Sequence, residues 1–388
     1  MAYNRKQRLN DNIKAIETAF ILDREQRTPT ARERLLLERY CGFGGLKCIL
    51  NPARELADAV HWAKSDLELF APTVELHRLI RENSKNESEY KQLMDSLKQS
   101  VLTAFYTPSA VTEALTDVLK EHQIIPEKVL EPSAGIGAFV DSVLDNNPKA
   151  DIMAFEKDLL TGKILRHLHP EQKVRIEGFE KIEKPFNDYF DLAISNIPFG
   201  DVAVFDPSYT AMKGMRALVT RRIHNYFFVK ALDTVRDGGL VAFITSQGVL
   251  NAKNNSAARF MMLYHADLVS AIRLPNNLFT ENANTEVGSD LIILQKNSQK
   301  ESLRGDDNLL DTVYNDENRI PTNNYFLEHP ERIIHTTAKL DTDPFGKPAM
   351  IYTHEDGVEG IAEDLRKMLN EDFGRNFHLS RYLGEEQT

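Results

Sequence analysis

VLEPSAGIGAFVDSVL, residues 129–144, joins a short apolar run to a helical pattern through a glycine turn. Val129 and Leu130 read as the end of a buried strand. Gly135 and Gly137 permit a sharp reversal and close backbone approach. The helix from Ala138 then points its N-terminus at whatever lies above the strand. The pattern departs from a dinucleotide-binding loop, because Val140 stands where the third glycine of GxGxxG belongs. Glu131, just before the turn, would repel a pyrophosphate. A cationic or zwitterionic ligand fits better.

Working outward, the next apolar run, ADIMAFEKD, reaches Glu156 about twenty residues after the glycines. An acid there accepts both hydroxyls of a ribose, or simply faces solvent at a strand end. An acid before the turn and a ribose-binding acid after it favour S-adenosylmethionine over NAD. Further runs (VRIEGF, FDLAIS, GLVAFITS, ADLVSAIRLP, DLIILQK) alternate with helical stretches (GAFVDSVLDN, DLLTGKILRHL, NYFFVKALDTVRDG, NSAARFMMLYH). This alternation predicts an α/β fold with a doubly wound, mostly parallel sheet.

The sheet accounts for residues 101–297. Before it, residues 1–100 carry apolar residues at helical spacing, interrupted by the glycine turn CGFGGLK at 41–47, which lacks the Lys-Ser/Thr of a phosphate-binding loop. After it, residues 298–388 turn polar and acidic, with one amphipathic helix in VEGIAEDLRKMLN.

Bulk properties narrow the function. The 388 residues are 42% hydrophobic and 27% charged, as in a globular protein. The N-terminus has no apolar targeting core and no stretch spans a bilayer, so the expected location is the cytoplasm. Cys41 and Cys48 have no histidine nearby at metal-ligand spacing, and no metal is expected. A net charge of −11 opposes indiscriminate coating of nucleic acid but allows a local basic surface. KGMRALVTRR (213–222) and RHLHPEQKVR (166–175) are the candidates, each equally readable as a solvated face.

Three motifs together carry a family resemblance. EPSAGIG resembles the cofactor motif of class I methyltransferases, and NIPF (196–199) the Asn-Pro-Pro-aromatic motif of those that methylate amines. AFYTP (104–108) resembles the F-x-T-P segment of adenine-N6 DNA methyltransferases, and the motif order is that of their gamma group. RLPNNLF (273–279) and TEVGSDLIILQK (285–296) are similar to the stretch closing the catalytic domain of type I modification subunits. GFGGL and NNYFLEHPE (323–331) look like parts of the methylase portion of mobile-element helicase-methylase proteins.

The resemblance implies a Rossmann-like class I methyltransferase domain, S-adenosylmethionine as cofactor, DNA as substrate and a place in restriction-modification. It assigns cofactor contacts to Phe105, Tyr106, Thr107, Pro108, Glu131, Pro132, Ser133, Gly135, Gly137 and Glu156. More loosely, Phe179 would lie beside the cofactor's adenine and Glu180 would meet its amine, or serve as a structural acid.

An exocyclic adenine amine is a weak nucleophile because its lone pair is delocalised into the ring. Two acceptors gripping both amine hydrogens stabilise the tetrahedral nitrogen of the transition state. By resemblance these are the Asn196 side chain and the Ile197 carbonyl, with Pro198 between them and Phe199, which stacks on a base flipped from the duplex. Ile197 replaces the commoner proline, and Pro198 biases it to extended geometry. FDPSY (205–209) also resembles Asp-Pro-Pro-Tyr, but no strand leads into it. Lys213, Arg216, Arg221 and Arg222 follow at the expected rim, for DNA phosphates or for solvent.

Two other readings stay open. Protein-glutamine methylases use a similar motif on a carboxamide nitrogen. The other is a weakly active, cofactor-binding module of a mobile-element system: only about ninety residues, acidic on balance, follow the sheet, so either specificity is low, the N-terminal helices contribute, or a partner supplies recognition.

Overall fold

The computed structural model describes residues 4–103, 106–280, 286–303, 305–314, 319–343 and 346–385. Phe105 lies outside them.

Seven strands form the central sheet: β1 (Lys128–Glu131), β2 (Asp151–Phe155), β3 (Lys173–Arg175), β4 (Phe190–Asn196), β5 (Val235–Ser246), β6 (Ala266–Leu274) and β7 (Ser289–Lys296). Their order is β3-β2-β1-β4-β5-β7-β6. β1 through β5 pair in parallel, while β7 runs antiparallel between β5 and β6. The doubly wound, mostly parallel sheet is the one the alternation of runs predicts, and its strand order is that of the Rossmann-like class I methyltransferase fold that the resemblance implies. Strands covered on both faces must be apolar on both faces, which is why β4 and β5 read as near-continuous hydrophobic runs.

Helices cover each side. The N-terminal region supplies α1 (Arg5–Glu25), α2 (Ala31–Glu38), α3 (Phe70–Glu82) and α4 (Glu87–Thr103). Next come α5 (Ser109–Glu121), α6 (Ala138–Asn146) and α7 (Leu159–Leu168). α8 (Pro207–Ala211), α9 (Gly214–Val219) and α10 (Ile223–Thr234) lie between β4 and β5. The start of α2 is set by a reciprocal Thr30–Glu33 capping box. The N-terminal helices share a core with Leu160, Ile164 and Leu168 of α7. Lys163 and His167 of α7 both bond Asp23 of α1.

The polar C-terminal segment contains more structure than its composition predicts. Two small hairpins form, Thr312–Tyr314 with Pro321–Asn323 and Thr337–Thr342 with Pro348–Thr353. The amphipathic helix becomes Gly357–Asn376, and its Ile361, Leu365, Leu369 and Phe373 join the core on one face of the sheet. Arg366 ties it to Asp117 of α5 at 2.6 Å, and Asp372 accepts from Ser270 of β6 at 2.7 Å.

The strand order reverses between β1 and β4, where Val129 pairs with Leu192 and Leu130 with Ala193. Crossovers on either side of such a reversal leave to opposite faces, opening a crevice at the carboxyl ends. Glu131 ends one strand at that point and Asn196 the other.

Candidate active site

The glycine turn is held to both neighbouring strands. Ala134 N donates to Phe155 O of β2 at 2.8 Å, and Gly135 N donates to Glu156 Oε2 at 2.8 Å. On the β4 side, Ser195 Oγ donates to Ser133 O at 3.3 Å. Gly135 and Gly137 have φ of 57° and 94°, a region costly for any residue with a Cβ. Space enforces the same choice, since a Cβ at Gly135 would come within 2.8 Å of the Tyr106 ring. Pro132 links Glu131 to this turn.

Several polar groups around the turn lack partners. Glu131 is 1% exposed and its Oε2 has no hydrogen bond. Burial pushes its carboxyl well above the usual range, offset by hydrogen bonding with Ser195 and reinforced by the Glu156 charge. Thr107 is buried with its Oγ1 unpartnered. Glu156 accepts from Asp158 N at 2.7 Å as well as from Gly135. Burial, then the Asp158 charge, raise it to about 8. Its oxygens retain lone pairs beyond those two bonds. Tyr106, Thr107 and Pro108 cross the outside of the turn, where a cavity of about 340 Å³ lies between them, Ile136, Arg8 and Arg39.

The NIPF segment continues the β4 ladder past its last strand residue. Ile197 N donates to Ile244 O at 3.0 Å, and its side chain is 1% exposed. A proline there would lack that donor, so this departure from the family form has a structural function. Phe199 is half-buried and meets Phe279 edge-on, with ring centroids 6.3 Å apart at 71°. Phe279 closes the short 3₁₀ turn Asn276–Phe279 after β6, so the RLPNNLF stretch joins the NIPF turn in space. Just after β5, the Gln247 carboxamide lies against Gly288, where a Cβ would come within 2.5 Å of it. Ser195, Phe279 and Gln247 were not singled out from sequence. Phe279 was legible as the aromatic ending RLPNNLF, whereas Ser195 and Gln247 carry no local signal.

A model of the N-6 DNA methylase family matches residues 88–353. The chain belongs to that family. The chain is 29% identical over 201 residues to a defense against restriction protein B of Escherichia phage P1, covering 50% of this chain and 8% of that protein. It is 25% identical over 173 residues to the type II methyltransferase M.XamI of Xanthomonas campestris pv. amaranthicola, covering 41% and 33%. The matches thus span a third or less of both curated relatives. A modification subunit assigned to a type I restriction enzyme of Vibrio vulnificus YJ016 aligns over 75% of this chain and 67% of its own, with 15% identity and a TM-score of 0.43.

Most of the remaining candidate residues have structural partners. Phe179 is 1% exposed, packed among Phe155, Tyr226 and Phe227. Glu180 does not end the third strand: β3 stops at Arg175, and Glu180 lies in the 3₁₀ turn Phe179–Lys181, 3.8 Å from Lys157. Arg216 forks onto Asp233 at 2.5 and 2.9 Å, and Arg222 bonds Asp201, Asn254 and Asn255. Lys213 and Arg221 are exposed. Asp206 of FDPSY caps α8 and accepts from Tyr226 Oη at 2.7 Å, so this segment is a helix start. Among the described residues no cluster of three or more His, Cys, Asp or Glu could hold a metal, and no helix is long and apolar enough to cross a membrane.

Proposed function

We propose that this methylase transfers a methyl group from S-adenosylmethionine to the N6 amine of adenine in DNA. The observation that carries the reading is the pairing, across the β1/β4 reversal, of the buried Glu131 carboxyl, whose Oε2 has no partner, with the NIPF turn that begins at Asn196. The groups around the glycine turn suit the cofactor: Glu131 Oε2 for its ammonium, Thr107 Oγ1 for its carboxylate, and the remaining Glu156 lone pairs for its ribose. Tyr106, Pro108 and the Pro132–Gly137 turn would enclose its methionine end. Bound there, the cofactor supplies an electrophilic methyl on a sulfonium.

The protein's part is to prepare the acceptor. Asn196 and the Ile197 carbonyl grip the amine hydrogens, and Phe199, braced by Phe279, stacks on the extruded base. The anchored Ile197 N–H fixes the backbone from which both acceptors project. Target recognition falls to a further protein segment or partner, a reading supported by the small fraction of each curated relative that the match spans.

Incubation with methyl-labelled S-adenosylmethionine and DNA tests the transfer. Label in DNA, absent with Asn196→Ala, supports the reading. Label in protein instead moves the acceptor to a glutamine carboxamide. Thermal stabilisation by S-adenosylhomocysteine and not by NAD checks the cofactor independently.

A further inference from the structure

Sixteen large hydrophobic side chains are exposed among the described residues, and five of them (Val202, Phe205, Met212, Met215 and Leu218) fall in the seventeen-residue span 202–218 that follows the NIPF turn. Phe205 is 81% exposed. Surface helices ordinarily turn polar residues to water, and a concentration of bare apolar tips marks a contact surface.

The stems beneath these tips are firmly fixed. Asp206 is buried and accepts from Ser208 N at 2.9 Å and Tyr226 Oη at 2.7 Å. Arg216 and Tyr209 both bond Asp233 of α10, and Arg222 Nε reaches Asp201 at 2.9 Å. The exposed tips therefore ride on a braced base rather than on a loose loop.

Charge identifies the partner. Both carboxylates of the segment are ion-paired, Asp201 with Arg222 and Asp206 with Lys230. Exposed Lys213 and Arg221 have no ion-pair partner among the described residues. In a chain of net charge −11, this face offers apolar wedges beside uncompensated cations. A polyanion with an apolar interior, duplex DNA, is complementary to both features.

We infer that residues 201–221 form an element that inserts into duplex DNA beside the NIPF turn, Phe205 or Met212 filling the space an extruded base leaves, with Lys213 and Arg221 on flanking phosphates. The inference rests on the adenine-DNA reading of the site. A side chain in the gap offsets lost stacking, and a single strand has no gap to fill.

The test compares the intact chain with Phe205→Ala and Met212→Ala on native and heat-denatured DNA from a methylation-free host. Both methyl transfer and binding in the presence of S-adenosylhomocysteine are measured. At least one variant should lose roughly tenfold on duplex in both readouts, about the weight of one stacking contact, and stay within about twofold of the intact chain on denatured DNA. Lys213→Gln with Arg221→Gln should weaken binding to both forms and flatten its salt dependence. Equal losses on both DNA forms, or no loss on duplex, would overturn the inserting role; unaffected duplex transfer would hand the surface to a protein partner. If the intact chain methylates neither form, the adenine reading fails, while the binding comparison still decides insertion.

Discussion

Ile197 N donates to Ile244 O at 3.0 Å, joining the second residue of the NIPF turn to the strand beside it. The proline of the commoner motif could not make this bond. Ile197→Pro should therefore destabilise the protein by at least about 1 kcal/mol from the lost bond, with more from the buried side chain. Denaturant unfolding measures it. Unchanged stability would mean that the ladder extension contributes nothing.

Gly135 is constrained twice, by a φ of 57° and by the Tyr106 ring over it. Gly135→Ala should cost about 1–2 kcal/mol through the left-handed backbone alone. Displacing Tyr106 should also weaken S-adenosylhomocysteine binding at least tenfold in calorimetric titration. Wild-type affinity in a folded variant would separate the turn from the cofactor.

Glu156 gives the ligand-free protein a pH signature. Its carboxyl is raised from 4.5 to about 8 by burial, so between those values the folded state holds a proton that the unfolded state has released. Stability conferred by that proton is fully present at low pH and is lost as pH rises through the window, with a slope up to about 1.4 kcal/mol per pH unit. The raised Glu131 and Asp158 carboxyls act with the same sign. Glu156→Gln should flatten the profile between pH 5 and 8 relative to the intact chain. Parallel profiles would show that Glu156 ionises normally.

Arg273 and Asp290 form a buried pair on β6 and β7, 2.9 Å apart at 4% and 0% side-chain exposure. Burial outweighs the pairing and holds the Asp290 carboxyl above its ordinary range. Arg273→Met should destabilise by about 3–5 kcal/mol by stranding Asp290, whereas Arg273→Met with Asp290→Leu should recover most of that loss. A double variant no better than the single one would show that Arg273 acts through Asn251 and the Phe326 ring rather than through its ion pair.

The inner strands were legible because strands buried on both faces must be apolar, and because the turn after β1 needs glycine; β3, Lys-Val-Arg with no buried residue, showed only as part of a longer apolar run that continues past the strand. The C-terminal hairpins were not. Thr337–Thr342 is exposed along its whole length, so its short polar/apolar alternation (Ala338, Leu340) marks no buried face and is too brief to separate from a polar loop. Arg216 looked like a surface cation because its partner, Asp233, is seventeen residues away on another helix. Phe179 followed a strand end like a ligand contact, yet three aromatics from β2 and α10 enclose it. Glu131, Gly135, Glu156 and Asn196 were readable because each ends or follows a strand at a position that topology brings to the crevice.

The most direct measurement is a nucleoside digest of DNA from a methylation-free host expressing this chain, beside an Asn196→Ala control. N6-methyladenine with the intact chain and none with the variant is the result expected. Its absence from both, with S-adenosylhomocysteine binding intact, or its persistence in the variant, would contradict the assignment of the NIPF turn to the adenine amine.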